Sequence, residues 1–145
     1  MKAALCNLKN RFDPVNNFLH QIASPILDIS IRLYMAKIFF VSGWAKLSSA
    51  LNEDWESTLF LFEEIHPIPG ISPQLAAVSG TAAEVVLPVL LAFGLLSRFA
   101  ATGLLVMTIV IQYVVPEEYG VRNVQHYFWM FMFAVIMTKG PGILS

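Results

Sequence analysis

The stretch SPQLAAVSGTAAEVVLPVLLAFGLLSRFAATGLLVMTIVIQYVV (residues 72–115) decides the fold class of this chain. Its only charged residues are Glu84 and Arg98, and the tract Leu-Leu-Ser-Arg (95–98) divides it into two apolar segments. A membrane-spanning helix needs about 20 consecutive, predominantly apolar residues. The stretch therefore predicts two antiparallel membrane-spanning helices, at about 73–94 and 98–115, joined by a tight turn.

Two further apolar segments flank this pair, at about 25–50 and 123–139. The first follows Ser24, an N-cap residue, with proline at the first helical position. The second ends at Lys139-Gly140-Pro141, a combination that stops helices. We predict an all-α fold, an integral membrane bundle of four transmembrane helices. Residues 24–145 form this domain, and residues 1–23 form an N-terminal cytoplasmic or interfacial segment.

The composition supports a membrane environment and excludes some functions. Of the 145 residues, 57% are hydrophobic and 13% are charged, whereas a soluble domain carries about 25% charged residues. The net charge of −1 gives no basic footprint for nucleic acid. Cys6 is the only cysteine, so the chain has no cysteine pair of its own for redox chemistry.

The distribution of charge predicts the orientation in the membrane. In a four-span arrangement, one side holds Lys2, Lys9, Arg11, Arg98 and Lys139. The loops on the other side hold seven acidic residues and Arg122. Because cations are retained in the cytoplasm, both termini are predicted to be cytoplasmic. The acidic loop 52–71 then faces outward, and residues 55–65 could form an interfacial helix with Trp55, Leu59, Phe60 and Phe62 in the headgroups.

Several polar residues fall inside the predicted spans, where ionisable groups normally face the bundle interior. The candidate buried or ligand-lining residues are Arg32, Lys37, Glu84, Gln112 and His126. Arginine pairs well with a carboxylate, so we expect an Arg32–Glu84 pair near the membrane centre. The pair either only fixes the helix packing or belongs to a site for a small anion, a quinone or a proton. Lys37 would then snorkel or line a wet cavity.

The remaining candidates have structural or alternative roles. His126 is either a member of the interfacial aromatic belt or a ligand or proton carrier that faces Gln112. Gly43 permits close helix approach, Pro88 should kink its helix, and Lys46 and Arg98 are also assigned structural roles. No metal site is predicted, because the three histidines lack a patterned set of ligands. No catalytic residue is identified.

The order of several tracts resembles that of the DoxX family of small bacterial inner-membrane proteins. These tracts are Arg32 followed by FFVSGWAKL (39–47), Glu84 followed by VVLPVLLAFGLLSRFAA (85–101), MTIVIQ (107–112), and HYFW (126–129) leading to GPGILS (140–145). The resemblance implies a four-span inner-membrane bundle with cytoplasmic termini. It also implies a link to quinone-dependent oxidation, for which some members are known. One departure is that the chain stops at GPGILS, where relatives usually continue.

Three functions are compatible with these features. The first is a redox-associated membrane subunit, which would bind a quinone, or act with a partner oxidoreductase or another operon-encoded protein. Such a subunit would be accessory rather than catalytic. The second is a transport or permeation component for a small solute or a metal species, which would require a homo-oligomer. The third is a membrane scaffold with no chemistry of its own. We expect the first.

Overall fold

The computed structural model describes residues 13, 14 and 17–140. A π-helical turn, Leu19–Ala23, leads into α1 (Ser24–Leu51). The short helix α2 (Trp55–Phe60) ends in a second π-helical turn, Leu61–Ile65. The helices that follow are α3 (Pro73–Ala92), α4 (Ser97–Ile109), which continues as the π-helical turn Val110–Val114, and α5 (Val124–Lys139). Most of the predicted segment 1–23 and the tail 141–145 lie outside the described residues.

The prediction of an all-α fold is confirmed, since the described residues form helices and no strand. Two helices, Pro73–Ala92 and Ser97–Val114, are long and apolar enough to cross a membrane. The helix α1 is longer, but four charged side chains interrupt its apolar sequence. The helix α5 has 16 residues. It is the shortest of the four long helices when the π-helical turn Val110–Val114 is counted as part of α4.

Polar side chains cap the first turns of α3 and α5, but not that of α1. The Ser72 hydroxyl accepts a hydrogen bond from the Leu75 N–H, and the Asn123 side chain accepts one from the Gln125 N–H. The predicted N-cap at Ser24 is wrong, because the chain is already helical there. The Ser24 N–H bonds to the Leu19 carbonyl in the widened π-helical turn, which carries the helix across Pro25.

The turn between α3 and α4 lies where the sequence places it. Gly94 has a φ of 76° and Leu96 a φ of 48°. Both lie in the left-handed region, which suits glycine and costs about 1 kcal/mol or more for a leucine. This reversal places α4 antiparallel to α3. We call this end of the bundle, with Ser24 and Lys139, the turn end, and the end with Leu51 and Pro73 the loop end.

The helices pack in two antiparallel pairs, α1 with α3 and α4 with α5, and the pairs meet mainly through α3 and α4 and also through α1 and α5. The turn end holds a continuous apolar core. Phe39 of α1 makes edge-to-face contacts with Phe133 and Trp129 of α5, at centroid distances of 5.4 and 5.5 Å. Its other buried members are Met35, Ala36, Leu91, Ala100, Ala101, Leu104 and Ile136. The loop end is not filled in this way.

Candidate ligand cavity

A cavity of about 640 Å³ lies at the loop end, between the two helix pairs. Ligand-binding pockets are usually about 300–1,000 Å³ in volume and mostly apolar, with a few well-placed polar groups. The polar side chains that line this cavity are Ser42, Lys46, His66, Ser79, Glu84 and His126. The rest of the wall is apolar or glycine and comes mainly from α3, α4 and the segment after α2.

Lys46 and Glu84 form the central polar contact of the cavity. The Lys46 Nζ lies 2.5 Å from the Glu84 Oε2, and the two side chains are 15% and 7% exposed. The same ammonium group donates a hydrogen bond to the Ser42 hydroxyl at 2.9 Å. A lysine ammonium group has three N–H donors, so one remains for a ligand in the cavity.

A close approach of α1 to α3 positions this pair. A Cβ atom on Gly43 would lie 2.6–2.7 Å from the backbone and Cβ of Glu84, so only glycine fits. Lys46 follows Gly43 by three residues and therefore lies on the same face of α1. Pro88 has no N–H to bond to the Glu84 carbonyl four residues earlier, which leaves that carbonyl free where α1 crosses. The helix α3 runs through Pro88, which is buried.

The expected Arg32–Glu84 pair is wrong, because Glu84 binds Lys46 instead. The contact of Gly43 with Glu84 sets the register of the two helices. Arg32 lies eleven residues before Gly43, about 16 Å away along α1. Arg32 is 4% exposed, and its Nε and Nη1 atoms have no hydrogen-bond partner among the described residues. It shares the buried face of α1 with Phe39 and Gly43, as expected.

Lys37 does not line the cavity, contrary to the interpretation of it as a buried or lining residue. Its side chain is exposed on the outer surface of α1. The physical reason is the helical period: five residues after Arg32, Lys37 lies about 140° around the helix from the buried face. Glu84 and Lys37 also lie at different levels, since Glu84 packs against Gly43, six residues further along α1.

Gln112 and His126 are in contact, which agrees with the alternative that His126 faces Gln112. The Gln112 Oε1 atom accepts the Asn123 backbone N–H at 3.2 Å and lies 2.7 Å from the His126 Nδ1. Because Oε1 is an acceptor, Nδ1 must donate, and the neutral ring then has Nε2 as an acceptor. Gln112 is 4% exposed and His126 is 8% exposed. Gln112 therefore orients His126, which lines the cavity.

His66 lines the cavity, although its position in the sequence did not predict a binding role. It follows the π-helical turn after α2, and its backbone N–H bonds to the Leu61 carbonyl at 2.7 Å. Burial lowers the pKa of His66 below its ordinary value, and the positive charge of Lys46 lowers it further. Its neutral form is thus favoured, which suits a hydrogen-bonding role.

The segment Trp55–Ile65 covers one side of the cavity. Phe62 is 8% exposed and packs on α3, where a Cβ on Gly80 would lie 2.8 Å from its ring. The Thr58 hydroxyl bonds to the Lys46 carbonyl at 3.4 Å, which ties the segment to α1. The expected short helix is present, but Phe62 packs inside the bundle rather than among headgroups. Phe60, by contrast, is 56% exposed.

The cavity residues offer hydrogen bonds and charge rather than a metal site. Within residues 13, 14 and 17–140, no three His, Cys, Asp or Glu side chains lie close enough to hold a metal ion. Lys46 and Ser42 were assigned no role in binding by the sequence. The spacing of three residues between Gly43 and Lys46 could have indicated that Lys46 lies on the buried face of α1. No sequence pattern indicated that Ser42 and His66 line the cavity.

Arg98 lies at the turn end, away from the cavity. Its guanidinium crosses the C-terminus of α5, where a Cβ on Gly140 would lie 3.1 Å from the Arg98 Nε. A cation at a helix C-terminus is electrostatically favourable. At the same end, Lys139 donates to Asp28 at 3.0 Å, which joins α5 to α1.

Comparison with known proteins places the chain in a family. The family model DoxX matches residues 27–117, which is well over half of the chain. The matched region contains α1 from residue 27 onward, α2 to α4, and most of the cavity wall, including Ser42, Lys46, His66 and Glu84. No curated protein and no solved structure is similar enough to the chain to match. Together with its two long apolar helices, the match identifies the chain as a membrane protein that belongs to the DoxX family.

Proposed function

We propose that this protein spans the bacterial inner membrane four times and binds the ring of a lipid-soluble quinone in the loop-end cavity. It would act as an accessory subunit of a partner oxidoreductase. The observation that carries the proposal is the Lys46–Glu84 pair inside an otherwise apolar cavity. A buried polar pair next to open space supplies hydrogen bonds to a ligand that is itself mostly apolar.

The helix arrangement supports four spans. α1, α3, α4 and α5 are antiparallel neighbours, and α1 and α5 complete a bundle around the two helices that are long and apolar enough to span alone. Arg98 and Lys139 lie at the turn end, whereas Glu53, Asp54 and Glu117 lie at the loop end. By the positive-inside rule the turn end is cytoplasmic, and the cavity lies in the outer half of the membrane.

The cavity chemistry suits both oxidation states of a quinone. The carbonyl oxygens of a quinone accept hydrogen bonds, which Lys46 Nζ and the Ser42 hydroxyl can donate. The hydroxyl groups of a quinol donate hydrogen bonds, which the Glu84 carboxylate and His126 Nε2 can accept. The apolar wall of α3 and α4 would hold the ring and the start of an isoprenoid tail.

The role of a partner follows from the redox balance. Oxidation of a quinol to a quinone releases two protons and two electrons. Carboxylate and imidazole groups at the cavity can take up protons, whereas the electrons must pass to a second redox centre. Cys6, the only cysteine, cannot supply one alone. A partner oxidoreductase therefore supplies or takes the electrons in this proposal.

Quinone binding can be measured through Trp129, whose ring lies 5.1 Å from that of His126. Quinones quench tryptophan emission, so we expect saturable quenching when a short-chain benzoquinone is added to the purified protein in detergent. Lys46→Met should weaken this binding by about tenfold or more, because a hydrogen bond to a charged group is lost. Lys139→Met is the matched control and should bind like the wild type.

Two outcomes would refute the proposal. One is quenching that never saturates in the wild type, which would indicate simple partitioning of the quinone into the micelle. The other is equal affinity in Lys46→Met and Lys139→Met. Uptake of a solute into proteoliposomes without quinone binding would favour the transport function instead. Labelling of single cysteines at residues 96 and 118 from the two sides of the membrane tests the orientation independently.

A further inference from the structure

The outer surface of α1 carries a lysine where a membrane protein normally presents apolar side chains. Lys37 is exposed, and it lies in a stripe of exposed residues on this helix. The apolar members of the stripe are Leu33, Tyr34, Val41 and Trp44, each between 51% and 59% exposed. We call these four residues and Lys37 the α1 stripe. None of the five lines the loop-end cavity.

Polar residues on α1 mark where Lys37 lies relative to the membrane, given the proposed four-span arrangement. Asp28, which pairs with Lys139, marks the turn end, and Ser48 marks the loop end. Ser48 follows Asp28 by twenty residues, a rise of about 30 Å, which is the thickness of the hydrocarbon core. Lys37 is nine residues, about 14 Å, from Asp28 and eleven residues, about 16 Å, from Ser48. It therefore lies close to the membrane centre.

Snorkelling cannot bring this charge to water. The lysine side chain reaches about 6 Å from its Cα, less than half the distance to either membrane surface. Charged side chains at membrane depth normally face protein or a water-filled cavity and pair with other groups. An ionised Lys37 against lipid chains would be strongly unfavourable, so its position calls for a protein partner.

This chain has no carboxylate to offer at that level. Among the described residues, Asp28 is paired with Lys139 and Glu84 with Lys46. The other acidic side chains of the described region lie in the loops or before α1, and residues 1–12, 15, 16 and 141–145 contain no Asp or Glu. A symmetric dimer through the α1 stripe would place Lys37 opposite Lys37, which is repulsive. A second copy is therefore the wrong occupant.

We propose that the α1 stripe docks a membrane-spanning helix of a different protein, which presents an Asp or Glu to Lys37 near the membrane centre. Phe40 and Trp44 are stacked at a centroid distance of 6.0 Å and an angle of 21°, and they extend the contact surface by a flat aromatic face. The proposal rests on the four-span arrangement but not on quinone binding. It assigns the partner to the side of α1 that faces away from the cavity.

The test places a photoreactive phenylalanine analogue at Val41, one turn from Lys37, in the full chain in native membranes. We expect one adduct with a membrane protein, joined at a peptide in an apolar segment that contains an Asp or Glu. The yield should fall about tenfold in Lys37→Met and persist in Lys37→Arg, which keeps the charge. Changing the partner's carboxylate to its amide should lower the yield by the same factor. The same analogue at Phe128, exposed on α5, should not give this adduct.

Several outcomes would overturn the proposal. They are adducts with lipid or a second copy alone, a cross-linked peptide without a carboxylate, and an undiminished yield in Lys37→Met. The purified Lys37→Met protein should keep its helical content and its quinone affinity, because Lys37 is exposed and outside the cavity. If the wild type forms the adduct but binds no quinone, the docking surface stands and the proposed ligand fails.

Discussion

The two ends of this bundle differ in how the same four helices meet. At the turn end, Ala100 and Ala101 let α4 approach its neighbours closely, and Phe39 and Phe133 fill the centre. At the loop end, Gly80 is covered by Phe62 and a cavity remains between the helix pairs. Dense packing stabilises a fold, whereas a cavity lowers stability unless a ligand occupies it. The turn end therefore provides stability, whereas the loop end provides binding in the proposed function.

One cation at each end makes this contrast testable: Arg32 is buried at the turn end, and Lys46 is partly buried at the loop end. The largest effect is expected at Lys46. Lys46→Met leaves the Glu84 carboxylate buried without its partner, which should lower the free energy of unfolding by about 3 kcal/mol, near the lower end for a broken buried pair because the cavity admits water. Equilibrium unfolding in mixed detergent micelles measures it. The double variant Lys46→Met/Glu84→Leu should regain most of the loss.

Arg32→Met, the same kind of change at the turn end, should leave stability unchanged or raise it by about 1 kcal/mol. The reason is that the Arg32 Nε and Nη1 atoms are buried without partners, and an apolar side chain removes this cost. A loss as large as that of Lys46→Met would contradict the contrast between the two cations.

Two of the glycines that contact neighbouring elements, Gly43 and Gly80, test how rigid their contacts are. Gly43→Ala sets a Cβ against the backbone of Glu84, so the helices must separate, and we expect a loss of about 1–3 kcal/mol. Gly80→Ala meets only the ring of Phe62, which can move, so its loss should be less than about 1 kcal/mol. Unfolding of both variants under the same conditions decides the order. Equal losses would indicate that Phe62 is held as rigidly as the α1–α3 contact.

The smallest expected effect concerns pH. Because the pKa of His66 is lowered in the fold, protonation favours the unfolded chain. The neutral His66 side chain therefore contributes fully to the free energy of unfolding above its ordinary pKa of 6.5. This contribution is lost as the pH falls from that value toward the lowered pKa of the folded state. The unfolding midpoint should therefore fall between pH 7.5 and pH 5 by more in the wild type than in His66→Gln. An equal decrease in both proteins would exclude His66 as the cause.

Residue patterns predicted the helices well because length, hydropathy and turn signals are local. The turn at Leu95–Arg98 and the helix starts near residues 73 and 123 were predicted from neighbouring residues. The start of α1 was not, since a π-helical turn carries the helix past Pro25 and leaves Ser24 without a capping role. Such a turn has no reliable signal in a single sequence.

The site was only partly predictable, because helix register depends on contacts far apart in the sequence. Arg32 was expected to pair with Glu84 because arginine binds carboxylates well. In the structure, the packing of α1 against α3 brings Lys46 to Glu84 instead. The contact of Gly43 with the Glu84 backbone sets the register of α1 and α3. A glycine in the sequence indicates a close approach but does not identify the residue on the other helix. The contact of His126 with Gln112 was one of two alternatives that the sequence left open, and the short loop between α4 and α5 allows it. His66 lies on an irregular segment, where periodicity gives no information.

At the loop end, two polar contacts each lie within one helix pair: Lys46 with Glu84 joins α1 to α3, and Gln112 with His126 joins α4 to α5. This division has a consequence for biosynthesis. In the proposed four-span arrangement, α1 would already offer the ammonium group that neutralises Glu84 when α3 enters the translocon. The first hairpin can thus settle in lipid without a lone carboxylate while the ribosome is still translating the second. His126 of α5 would be the last residue to join the cavity wall.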